Sequence, residues 1–219
     1  MGADLGQRPT AADRLRHHAR GEGPVAAAPG IPKVGRPEFL AAGLAGFVGF
    51  SLMGLFGALV PSFLGQVLHQ GNHAVEGTVV FAIYAFACMT QLVVARFDSR
   101  RLVFFGLAAF LVALALIVAG LSAVSLVLFV IGALVGGVGL GSIFLGSLST
   151  ATRLAPAAER GRILSTFYVF CYVGLALPTI GVGFAAPYFG FRAVLVCVII
   201  LAAVSVASMV GIRRAAVTR

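Results

Sequence analysis

From Phe39 onward the chain alternates between long apolar runs and short polar turns. A helix rises 1.5 Å per residue, so about 20 apolar residues match a hydrocarbon core about 30 Å thick. Six runs of that order are predicted to be helices, at roughly 39–64, 78–94, 102–121, 125–148, 163–186 and 193–212. None shows the strict alternation of a membrane β-barrel strand. The pattern predicts an all-α polytopic membrane protein with six transmembrane helices.

The flanks are polar. Residues 1–38 form a basic, Pro/Gly/Ala-rich segment without hydrophobic period, read as a flexible cytoplasmic leader. They lack the apolar core and cleavage pattern of a secretory signal. The His17-His18 pair there reads as solvated. Residues 213–219 form a basic tail. When successive turns are placed on alternate sides, only Arg192 of the sixteen Lys and Arg residues falls opposite the termini. The positive-inside bias then predicts both termini in the cytoplasm, with the bundle in the cell membrane.

Composition agrees. Hydrophobic residues make up 60% of the chain and charged ones 11%, with a mean hydropathy of +1.04, far from a soluble domain. The net charge of +9 sits between the apolar runs and at the chain ends, so it reads as topology signal and not as a nucleic-acid surface. Cys88, Cys171 and Cys197 each lie in an apolar run without metal-ligand spacing and read as small buried hydrophobes.

The polar residues within the runs sort the helices. The third run has no polar side chain and the sixth only Ser205 and Ser208, which predicts peripheral, lipid-tolerant helices. In the second, Tyr84, Cys88 and Gln91 recur at i, i+4 and i+7. In the fifth, Ser165, Tyr168, Tyr172 and Thr179 form a similar stripe. Ser142 and Ser149 share a face of the fourth, and Ser51 and Ser62 a face of the first. Polar atoms at bilayer depth either bond a neighbouring helix or line a wet cavity, and spacing leaves both readings open. The substrate-pathway candidates are Tyr84, Gln91, Ser142, Tyr168, Tyr172 and Thr179.

Glycine and proline mark a second set. Gly132-xxx-Gly136 and Gly137-xxx-Gly141 permit close helix contact. The fifth run is broken by Gly174, Pro178, Gly181 and Gly183, which a bilayer tolerates where neighbouring helices re-satisfy the backbone. Gating or packing candidates are Asp98, Gly137, Gly141, Gly174, Pro178 and Gly181. The Gly137–Gly141 sequence lacks the βαβ context of a nucleotide loop.

Enzymatic readings fail on residue types. No Asp, Glu, Lys, Arg or His stands in the six apolar cores, so general acid–base chemistry has no donor there. An intramembrane serine protease built on Ser142 would need a later histidine, and none follows His73. His69 and His73 have no third ligand nearby for a metal. Neither a catalytic residue, nor a metal, nor a cofactor is expected.

The stretch ERGRILSTFYVFCYVGLALPTIGVG with its PYFGFR corner resembles the eleventh helix of bacterial major facilitator superfamily transporters. The resemblance extends over most of Phe39 to Ile212 and looks like their second six-helix half, with the third and sixth helices outermost. The turn Arg96–Arg101 resembles that family's cytoplasmic G-x-x-x-D-R-x-G-R turn, of which Asp98 and the basic character remain. The Gly/Pro pattern from Gly174 to Gly183 partly echoes a motif of antiporter-type members. The leader resembles the basic loop that joins the two halves. The resemblance implies secondary transport, efflux included, of a small solute by two bundles rocking around a midplane site. The uncharged aromatic pathway favours a neutral or hydrophobic solute. Implied partners are the lipid bilayer, the solute, and a second six-helix half or a second copy of this chain. The alternative is a non-transporting membrane component that packs on a partner through its Gly-rich helices.

Overall fold

A computed structural model describes residues 30–32, 34–62 and 73–217. Among these residues the helices are α1 (Arg36–Ser62), α2 (His73–Val94), α3 (Ser99–Ser122), α4 (Leu126–Leu154), α5 (Arg160–Phe189) and α6 (Phe191–Val217), with a 3₁₀ turn at Ala157–Glu159. No strand occurs among the described residues. Among the described residues five helices are long and apolar enough to cross a membrane, while the apolar part of α2 is the shorter stretch Val80–Val94. The leader up to residue 29, His69 and the connector 66–72 lie outside the described residues, as do residues 218–219 of the tail.

The helices overrun the apolar runs because hydropathy marks lipid contact, whereas a helix ends where its backbone bonds end. α2 starts at His73, inside the predicted connector, and α4 runs on to Leu154 before Pro156 stops it. The N-termini carry side-chain caps. Asp98 accepts from the Arg100 N–H at 3.2 Å to start α3, and Ser125 accepts from Leu128 to start α4. Between α5 and α6 stands only Gly190, with φ 54° and ψ −133°, a conformation open to glycine but strained for a side chain.

α1 is the centre, with 72% of its apolar stretch buried against 22% for each of α5 and α6. It packs on α4, α5 and α6, and α4 packs in turn on α2 and α3. One core joins α1, α3 and α4 through Leu52, Leu55, Phe110, Ile117 and Phe129. A smaller one gathers Phe39, Ile163, Phe167 and Cys171 near the end where α5 begins.

Glycine sets how closely α4 approaches its neighbours. Gly137 lies against the Ile83 carbonyl and Gly141 against the Ala87 carbonyl of α2, while Gly139 faces Gly106 and Phe110 of α3. On α5, Gly174 lies against the Phe47 backbone of α1. A Cβ at any of these would meet backbone, so these helices touch because the side chain is missing.

Charge is sorted by end. Arg36, Arg96, Arg100, Arg101, Arg153, Arg160, Arg162, Arg213 and Arg214 occupy one end of the bundle and Arg192 the other. At the basic end Arg153 pairs with Glu38, and Arg162 with Glu159 at 2.7 Å. The Arg100 guanidinium donates to the Ile212 carbonyl at 3.0 Å and so ties the start of α3 to the last turns of α6. Arg213 lies over the Phe104 ring, 5.4 Å from its centroid.

Candidate functional site

Most membrane-depth hydroxyls bond their own helix. Ser51, Ser147, Thr150, Thr179 and Ser205 each donate to the carbonyl four residues back, at 2.5–2.9 Å. In hydrocarbon that carbonyl is the nearest acceptor, which removes the need for either a neighbouring helix or a wet cavity. Ser208 does bridge helices, donating from α6 to the Ala41 carbonyl of α1 at 3.1 Å. Ser142 is buried with no partner for its hydroxyl among the described residues. Ser62's side chain lies outside the described residues.

The pathway candidates divide by position. Tyr168 and Tyr172 lie on the uncovered side of α5, 36% and 62% exposed. Tyr172 meets Phe50 of α1 edge-on with ring centroids 6.2 Å apart, and Phe50 meets Phe144 of α4 at 5.7 Å. This aromatic bridge ties the tyrosine stripe to the bundle's centre. Thr179 is turned toward α1, where it sits against Gly54. Ser142 is buried too deeply in α4 to open on a surface. Tyr84 and Gln91 are half-buried at the edge of the α2 surface that contacts α4, and the Gln91 amide donates to the Ala87 carbonyl at 3.4 Å. Of the cysteines expected to be buried, Cys171 is, Cys197 is half-buried, and Cys88 beside Tyr84 and Gln91 is exposed, because it lies on the side of α2 turned away from α4. α2 and α5 lie on different flanks of the α1–α4 pair and make no extensive contact. The structure therefore gathers Tyr168 and Tyr172 but leaves Tyr84 and Gln91 on another flank.

The gating and packing candidates also separate. Gly137, Gly141 and Gly174 are packing positions. Gly181 is not, since nothing lies within 4 Å of where its Cβ would be. Asp98 caps α3, a role legible in its place just before Ser99-Arg100-Arg101. Pro178 is buried inside α5, where its ring removes the N–H that would bond the Gly174 carbonyl.

Spacing alone gave no sign of a groove between the halves of α5 and α6 that flank Gly190. Its volume is about 670 Å³, and Phe47 of α1 contributes to its wall. Pro178, Gly181, Ala185 and Phe189 line it from α5, and Arg192, Val196, Cys197 and Ile200 from α6. Its α5 lining is a stripe about a third of the way round the helix from the tyrosines. Among the described residues no three His, Cys, Asp or Glu side chains come together.

An all-helical bundle of long apolar helices, sorted by charge at its two ends, is a polytopic membrane protein. The chain belongs to the Major Facilitator Superfamily, whose family model matches residues 7–177, from the leader through α1 to α4 and into the middle of α5. Its members are transporters and not enzymes, so a transporter function in general follows. No curated protein matches the chain.

Proposed function

We propose that this chain is one six-helix half of a facilitator-type secondary transporter. It lies in the cell membrane with both termini in the cytoplasm and moves a small neutral or hydrophobic solute, efflux included. The supporting observation is the uncovered side of α5. Tyr168 and Tyr172 stand there among Val169, Val173 and Ile180, with Tyr172 braced from behind by Phe50. A surface of apolar carbon with two phenol hydroxyls offers hydrogen bonds to a solute without demanding a charge. A second six-helix bundle, from another chain or another copy, would close that side. Since the apolar cores hold no Asp, Glu, Lys, Arg or His, a coupling proton would use a group on that second bundle.

The reading as an assembly component is weakened by the glycines. Those that were to meet a partner are occupied within the bundle, Gly137 and Gly141 by α2 and Gly139 by α3. The test is solute flux in proteoliposomes holding the purified chain, alone and with a co-expressed second bundle. Flux of uncharged aromatic solutes in either setting, lost in Tyr172→Ala, supports the proposal. Absence of flux in both favours the assembly reading.

A further inference from the structure

We propose that the groove between α5 and α6 holds an acyl chain of an anionic phospholipid, with the lipid headgroup on Arg192. The shape argues for a chain. The α6 side is a single helical stripe, Arg192, Ala193, Val196, Cys197, Ile200 and Leu201, which runs about 13 Å along the axis. A groove of that length suits a hydrocarbon tail better than a compact solute. The lining argues the same way, because apart from Arg192 its side chains are apolar.

Packing does not account for the opening. Gly181 is free of neighbours within 4 Å, so its missing side chain leaves room in the groove without drawing two helices together. The exposed carbon of Val196, Ile199 and Ile200 continues the groove onto the outside of α6. A bilayer lipid can therefore enter sideways.

The charge selects the headgroup. Arg192 sits at the start of α6, at the groove's outer end, where a transmembrane helix meets the interfacial region. Among the described residues no carboxylate pairs with it, and the other described arginines lie at the opposite end. A guanidinium above an apolar channel matches a phosphate above an acyl chain. This site lies on a different side of α5 from Tyr168 and Tyr172 and does not depend on what the chain transports.

The test is native mass spectrometry of the purified full chain after delipidation, titrated with phosphatidylglycerol and with phosphatidylcholine. The wild type should hold the anionic lipid about fivefold more strongly, as one interfacial cation provides. Arg192→Gln should bind both lipids alike, whereas Arg96→Gln at the opposite end should keep the preference. Gly181→Leu should weaken both lipids by filling the groove. An Arg192→Gln protein that still prefers phosphatidylglycerol, or a wild type without preference, would overturn the proposal. So would undiminished binding in folded Gly181→Leu. If Gly181→Leu does not fold, the arginine pair decides.

Discussion

At the scale of single residues, glycines that look alike in the sequence behave differently. Gly141 faces a backbone carbonyl of α2, which cannot swing aside as a side chain can. Gly141→Val should force α2 away from α4 and lower stability by about 1–3 kcal/mol, read as thermal unfolding in detergent. Gly181→Ala meets open space and relieves a poor helix former, so it should be neutral or stabilising by up to about 1 kcal/mol. Equal losses in the two variants would refute the distinction. Ser142 makes a second contrast. Its buried hydroxyl lacks a partner among the described residues, so Ser142→Ala should be neutral or stabilising by about 1 kcal/mol. A loss of that size would reveal a bond to a group outside those residues.

At the scale of helices, Pro178 is the residue whose removal should change motion more than packing. Pro178→Ala would give α5 back an N–H for the Gly174 carbonyl, while Gly174 keeps its seat on Phe47. Insertion and yield should stay unchanged and solute flux should fall, if the interrupted helix bends during transport. Unaltered flux at normal expression would reduce Pro178 to a groove-lining residue. The helices themselves were legible in the sequence, since length and hydropathy follow from the bilayer. Their ends were less so, because capping by Asp98 and Ser125 acts beyond the apolar limits. The spacing of Gly137 and Gly141 announced a close contact, but not that α2 would fill it. The stripe of Tyr168 and Tyr172 was legible from helical period. The inward turn of Thr179 depends on Gly54, far away in the chain, and the groove on three helices at once, so neither could be read from one segment.

At the scale of the whole molecule, the distribution of uncovered surface bears on how the bundle is completed. α1 is the best-buried helix, whereas the exposed side of α5 carries two tyrosines among apolar residues. Lipid would serve an apolar surface, but phenol hydroxyls in mid-helix have no acceptor in hydrocarbon and favour a wet or protein-lined neighbour. The outer side of α3, with Phe105 and Val112, is apolar throughout and suits lipid. If a second copy completes the transporter, the two copies meet through α5 and not through α3. In a chain with its three native cysteines replaced by alanine, Tyr172→Cys should then cross-link to itself or to a matching cysteine on the second copy's α2 or α5. Val112→Cys should remain monomeric under the same oxidation. The measurement is the dimer band on a non-reducing gel of native membranes. Cross-linking through Val112 alone would place the contact on the wrong side of the bundle. Monomer in all positions would leave a distinct second chain as the only form of pairing compatible with the proposed function.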